Sequence, residues 1–169
     1  MSVELNKNQI KRVQRGKRGM RYALIGCGRI ATNHIKAVLN NHLELIAVCD
    51  IREEQMESLL SKHNLQENTK IKRYTDYRQM IAENALDLVS IATESGSHAE
   101  IALYCIDHGI HVIIEKPMAM NMQDADEIIR RSKEKNVKVS GCHQNRFNIA
   151  VQELRKALEA GRFGPLSHG

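Results

Sequence analysis

The stretch Tyr22-Ala23-Leu24-Ile25-Gly26-Cys27-Gly28-Arg29-Ile30-Ala31 decides how the chain folds. An apolar run enters a glycine turn, and the turn opens into a segment of helical spacing. The pattern G-x-G-x-x-A gives each small residue a physical task. Gly26 can take a turn too tight for a side chain, Gly28 lets the backbone come close to a pyrophosphate, and Ala31 lets the helix lie close to the strand. The helix N-terminus then faces the phosphates with its unpaired N–H groups and the positive end of its dipole. Asp50 closes the next apolar run, Leu45-Ile46-Ala47-Val48, and stands 22 positions after Gly28, near the usual offset of about 20 in dinucleotide sites. A carboxylate there accepts hydrogen bonds from the adenosine ribose hydroxyls and repels a 2′-phosphate, which favours NAD over NADP. Arg52 works the other way, because an arginine can pair with that phosphate.

Working outward, strands and helices alternate. The pattern predicts strands at about 21–25, 43–50, 71–74, 87–92, 111–115 and 138–142, and helices at about 30–39, 53–63, 77–83, 97–108, 125–135 and 150–159. Runs such as Val112-Ile113-Ile114 are apolar at every position, as expected of parallel strands covered on both faces. Ser97 is placed to cap one helix and Gly109 to stop it, while Asn121 starts another whose Asp124, Asp126 and Glu127 suit its N-terminal dipole. The expected fold is α/β, a doubly wound Rossmann parallel sheet in the order 3-2-1-4-5-6. Residues 1–20 read as a basic extension, 21–149 as the dinucleotide-binding domain, and 150–169 as the start of a connection to a second, substrate-binding domain absent from this chain.

The 169 residues carry a net charge of +5, which is a weak pointer to nucleic acid until it is located. Residues 1–20 hold Lys7, Lys11, Arg12, Arg15, Lys17 and Arg18 against Glu4 alone, so the remainder is neutral and gives no electrostatic reason to bind nucleic acid. The same segment lacks the apolar core and cleavage site of a secretory signal, and no run approaches the length of a membrane span. Cys27, Cys49, Cys105 and Cys142 show no C-x-x-C spacing and read as reduced packing residues of a cytoplasmic protein, with simple fit favoured over a redox role for Cys27 in the turn. None of the eight histidines stands at metal-ligand spacing from another or from a cysteine, so no metal site is expected. His34 and His98 read as packing or capping residues.

In an open parallel sheet the ligand lies beyond the carboxyl ends of the strands. That rule selects residues 26–30, 50–52, 93–98, Glu115-Lys116-Pro117 and 143–147. Lys116 draws attention because the following proline forces it out of helical backbone, aims one ammonium group, and permits a cis bond. A lysine partly withdrawn from water titrates lower and can exchange a proton with a substrate hydroxyl.

Gly26-Cys27-Gly28-Arg29-Ile30-Ala31, Asp50, the Thr93 to His98 segment, Glu115-Lys116-Pro117 and Gln144-Asn145-Arg146-Phe147-Asn148 together resemble the N-terminal domain of the Gfo/Idh/MocA oxidoreductases. The later stretch, with Gly161-Arg162-Phe163-Gly164, is similar to the nucleotide-sugar 3-dehydrogenases of that family. The resemblance implies that Gly26, Gly28, Arg29 and Ile30 line the pyrophosphate, Asp50 and Arg52 the adenosine end, and Thr93 and His98 the middle of the cofactor. It also implies that Glu115 and Lys116 reach the nicotinamide ribose and the reaction centre, with Lys116 as the catalytic lysine. Gln144 would stand near the nicotinamide, and Arg146, with Lys116, near the substrate. Two departures stand out: the Thr93 to His98 loop lacks the Pro-Asn that often follows the threonine, and the aspartate and histidine of the family's second catalytic motif are not in this chain.

The expected activity is an NAD-dependent dehydrogenase acting on the CH–OH of a sugar, cyclitol or nucleotide sugar, homo-oligomeric when full length and inactive as this piece alone. The competing reading is an NAD(H)-binding sensor or regulatory module without turnover. Glu115-Lys116-Pro117 favours the enzyme, since a sensor has no use for a positioned lysine.

Overall fold

A computed structural model describes residues 19–165, so all but the last two residues of the basic extension, and residues 166–169, lie outside the described part. The chain order is β1 (Arg21–Ile25), α1 (Ala31–Asn40), β2 (Glu44–Cys49), α2 (Glu53–Lys62), β3 (Lys72–Tyr74), α3 (Tyr77–Glu83), β4 (Leu88–Ile91), α4 (His98–Asp107), β5 (His111–Ile114), α5 (Met122–Glu134), β6 (Val139–Gly141) and α6 (Ile149–Glu159). Short 3₁₀ turns at Ser95–Ser97 and Gln144–Phe147 precede α4 and α6. All strand pairs are parallel and the sheet order is β3-β2-β1-β4-β5-β6, as the sequence predicts.

The continuous apolar strands follow from burial on both faces. Successive residues of β1 point to opposite sides of the sheet. Tyr22 and Leu24 pack with Ala31, Ile35, Val38, Leu59 and Leu60 under α1 and α2. Ala23 and Ile25 pack with Met80, Ile81, Ala102, Ile106 and Ile128 under α3, α4 and α5. Fully buried side chains of this size contribute about 1.5–3 kcal/mol each, so both layers hold the central strands in place. The two edge strands, β3 and β6, are only three residues long, which limits the unpaired edge they offer.

Helix boundaries follow from local chemistry. Asn121 Oδ1 accepts the N–H of Asp124 at 2.8 Å, so α5 begins at Met122, three residues before the periodicity alone places it. Gly109, at φ +74°, ends α4, with Gly109 N–H on Ile106 O and Ile110 N–H on Cys105 O. That is a Schellman arrangement, which leads the chain directly into β5. The expected cap at Ser97 is corrected by the structure. Its backbone is already helical and its side chain makes no cap bond. The hydroxyl goes to Thr93 Oγ1 at 2.9 Å and Glu94 O at 3.0 Å, because the preceding 3₁₀ turn brings these acceptors within reach. Among the described residues no helix is long and apolar enough to cross a membrane.

Candidate functional site

The carboxyl ends of β1, β2 and β4 open into a cleft of about 420 Å³, and of the predicted positions Gly26, Gly28, Asp50, Arg52 and Thr93 line it. Gly26 is at φ +91°, and a Cβ there would stand 2.5 Å from the backbone of Ala92 and 2.6 Å from Thr93 N. Only glycine fits, because β4 crosses directly behind the turn. Its N–H is held by Cys49 O at 2.8 Å. Gly28 differs: a Cβ on it would meet none of the described residues within 4 Å. The absent side chain therefore leaves space for something outside the fold. Ala31 N–H returns to Gly28 O at 3.1 Å, while the N–H groups of Gly28, Arg29 and Ile30 have no partner among the described residues. Unpaired donors at a helix start, beside a space kept free of side chain, fit a pyrophosphate.

Asp50 ties the turn to the next strand. Its Oδ2 accepts Cys27 N–H at 2.7 Å and its Oδ1 accepts Arg52 N–H at 3.0 Å. The carboxylate is half-buried at the mouth, each oxygen retaining a free lone pair for a ligand hydroxyl. Cys27 is a packing residue, with its Sγ on Cys49 O at 3.7 Å. Burial, and then the charge of Asp50, raise its thiol well above the usual range, while burial pushes Cys49 up to about 12. Neither supplies a thiolate near neutral pH, so the fit reading of Cys27 is the one the geometry supports.

The far wall was not visible in the sequence. Ile51, Thr75, Tyr77, Glu100 and Ile101 line the same cleft from the ends of β2 and β3, the start of α3, and α4. Tyr77 donates its hydroxyl to Glu100 Oε1 at 3.0 Å and packs edge-on against Tyr104 with ring centroids 5.5 Å apart. The Arg78 guanidinium lies 4.6 Å from the centre of the Tyr77 ring and bonds the same Glu100 oxygen at 2.5 Å. Those two hydrogen bonds hold the Glu100 carboxyl below the usual range. The only local signal was Asp76, whose side chain caps α3 through Arg78 N–H at 2.8 Å and so sets the position of Tyr77.

The remaining predicted residues lie outside the cleft. His98 is 1% exposed, with Nδ1 at 2.7 Å from Pro117 O and Nε2 at 3.2 Å from Thr93 O. It holds the loop after β4 to the loop after β5 from behind, and has no ring nitrogen left for a cofactor. Glu115 is buried, its Oε1 3.1 Å from His34 Nε2 and its Oε2 accepting Lys116 N–H at 3.3 Å. Both oxygens face partners within the chain, so Glu115 fixes the backbone that carries Lys116. The Lys116–Pro117 bond is cis. Lys116 itself is exposed, and the partial withdrawal from water expected of it is not supplied by the described residues. Arg29, Gln144 and Arg146 are also exposed and Ile30 is half-buried, Gln144 and Arg146 standing on the 3₁₀ turn after β6. His34, Glu115 and Cys142 come together although no sequence spacing links them.

Comparison with known proteins agrees with this geometry. The sequence model of the oxidoreductase family with an NAD-binding Rossmann fold, Gfo/Idh/MocA, matches residues 20–143. Myo-inositol 2-dehydrogenase of Thermotoga maritima is 29% identical over 146 residues, covering 86% of this chain and 42% of the relative. D-glucoside 3-dehydrogenase of Escherichia coli is 30% identical over 149 residues, covering 87% of this chain and 41% of the relative. Among solved structures, the WlbA dehydrogenase of Bordetella pertussis, in complex with NADH and UDP-GlcNAcA, superimposes with a TM-score of 0.76 at 34% identity. That match covers 87% of this chain and 44% of the other. The chain thus spans less than half the length of the curated relatives it matches. A glycine turn bearing unpaired N–H groups, an acidic residue at its mouth and a family match over most of the chain lead to one conclusion: this chain belongs to the Gfo/Idh/MocA oxidoreductase family and carries its NAD-binding Rossmann fold.

Proposed function

We propose that the chain is the cofactor-binding part of an NAD-dependent dehydrogenase that oxidises a secondary alcohol of a sugar, cyclitol or nucleotide sugar. The observation that carries this reading is the contrast at the glycine turn: Gly26 is required by the fold, whereas Gly28 keeps open a space that none of the described residues uses. With NAD(H) bound, the nicotinamide supplies the hydride acceptor. The chain supplies position and charge. The turn and the start of α1 hold the pyrophosphate, Asp50 holds the adenosine ribose, and Tyr77 and Ile101 wall the adenosine end. Lys116, its backbone set by Glu115 and Pro117, takes the hydroxyl proton in its neutral amine form as the alcohol carbon loses hydride, the withdrawal from water that favours this form being left to the rest of the protein. Of the substrate classes, the nucleotide sugar is favoured by the likeness to the Bordetella pertussis dehydrogenase, whose complex contains UDP-GlcNAcA. Gln144 and Arg146, exposed on the turn after β6, suit the substrate side.

Val151, Leu154 and Leu158 of α6 are exposed apolar residues, as are Phe147 and Phe163 at either end of the helix. Their exposure, together with the length of the relatives, supports residues 150–169 as the approach to a second, substrate-binding region. A cytoplasmic, homo-oligomeric enzyme without nucleic-acid partners fits the neutral body and reduced thiols. The test is calorimetric titration with NADH and NADPH. The expected result is one site with NADH bound at least tenfold more tightly, and failure to bind either nucleotide would overturn the proposal.

A further inference from the structure

Three groups from distant parts of the chain meet where α1 lies over the carboxyl ends of β5 and β6. His34 comes from the first turn of α1, Glu115 directly follows β5, and Cys142 directly follows β6. One ligand atom from each, an imidazole nitrogen, a carboxylate oxygen and the thiol sulfur, lie within 4.8 Å of one another. The His34 and Glu115 side chains are only 10% and 11% exposed. Cys142 is half-buried, so the group is approachable from one side.

The geometry points to a binding site for a borderline divalent cation, Zn²⁺ above all, held by His34, Glu115 and the thiolate of Cys142. The donor set is the first reason. One nitrogen, one oxygen and one sulfur suit Zn²⁺, which takes three protein ligands and keeps a fourth position open in catalytic-type sites. A single carboxylate among nitrogen and sulfur donors is a poor match for Ca²⁺ or Mg²⁺, which need several oxygens. Spacing is the second reason. Bonds of about 2.0–2.3 Å at tetrahedral angles place neighbouring donors roughly 3.3–3.7 Å apart. His34 and Glu115 are already 3.1 Å apart, and a separation of up to 4.8 Å to the third donor closes by side-chain rotation. The third reason is charge. Binding displaces the thiol proton of Cys142 to solvent, and Zn²⁺ with one carboxylate and one thiolate is neutral, so the ion adds no net charge to a mostly buried place.

The test is metal titration of the 169-residue chain with Cd²⁺ and Zn²⁺ separately. One equivalent of Cd²⁺ should produce an ultraviolet sulfur-to-metal charge-transfer band, and Zn²⁺ should compete with a chromophoric chelator at one per chain. Cys142→Ser should abolish the band and weaken Zn²⁺ binding at least tenfold. His34→Gln should weaken it by a similar factor, and Ca²⁺ should not compete. His143→Ala, altering the exposed histidine next in sequence, should change neither readout. A band that persists in Cys142→Ser, equal Zn²⁺ affinity in wild type and Cys142→Ser, or no stoichiometric Zn²⁺ binding would each overturn the inference. Should His34→Gln fail to fold, the conservative Cys142→Ser change at the sheet edge decides alone. Normal NADH binding with no Zn²⁺ binding would reject this site and leave the proposed function standing.

Discussion

The two glycines of the turn should respond to substitution in opposite ways. At Gly26, alanine places a Cβ 2.5 Å from the Ala92 backbone, and the residue sits at φ +91°. Forcing a side chain into left-handed backbone costs about 1–2 kcal/mol. Overpacking against a strand that cannot withdraw adds about 1–3 kcal/mol. Gly26→Ala should therefore lose about 2–5 kcal/mol, and at about 2–4 °C per kcal/mol for a chain of this size its melting temperature should fall by about 4–20 °C. At Gly28, an added Cβ meets none of the described residues within 4 Å and the backbone needs no left-handed conformation, so the fold itself leaves room for a small branched side chain such as valine. Stability should change by less than about 0.5 kcal/mol. Its side chain fills the space assigned to the pyrophosphate, however. A steric term of about 1–3 kcal/mol and the loss of a charge-assisted hydrogen bond of about 1.5–3 kcal/mol combine to lower NADH affinity by roughly 10²- to 10⁴-fold. Differential scanning calorimetry and isothermal titration of both variants separate the two effects. A folded Gly28→Val protein binding NADH within threefold of wild type, or a Gly26→Ala protein with unchanged melting temperature, would refute the reasoning.

Replacing Asn121 by alanine removes the α5 cap and should cost about 0.5–2 kcal/mol, read as a fall in the denaturant midpoint at unchanged slope. In the whole protein, Lys116→Met should leave NADH affinity within a few-fold while lowering turnover about 10²-fold or more; turnover near wild type would favour a binding module. Thiol reagents at pH 8 should modify half-buried Cys142 first, and slowly, because its thiol is pushed up to about 11. Cys27, Cys49 and Cys105 should react only on unfolding. Glu127, hydrogen-bonded to Arg130 and Arg131, is held down at about 2. Because the folded value lies below the unfolded one, this pairing stabilises above the normal carboxylate range and is lost as pH falls toward about 2. Carbon-detected NMR titration should place its midpoint below the usual carboxylate range, and added salt should raise it, since the paired groups are partly open to solvent.

The alternation of apolar runs with helical spacing, and the order of turn, helix and acidic residue from Gly26 to Asp50, were legible in the sequence because each rests on neighbours in the chain. A strand covered on both faces must be apolar throughout, and a right-handed crossover leaves few sheet orders to choose from. Caps such as Asn121 and stops such as Gly109 are local for the same reason. What the sequence alone left open involves groups brought together across the sheet. Lys116 is exposed and His98 is enclosed, although both follow a strand at its carboxyl end. The difference arises because His98 lies beneath the loop of Pro117, whose carbonyl takes its Nδ1. The Tyr77 wall depends on α3 and α4 meeting beyond β3, and Ser97 loses its capping role to acceptors that the 3₁₀ turn brings close. The trio of His34, Glu115 and Cys142 spans three segments with no common period. Local spacing determined the backbone path, while tertiary packing determined which polar side chains share a space, because such contacts depend on strand order rather than on distance along the chain.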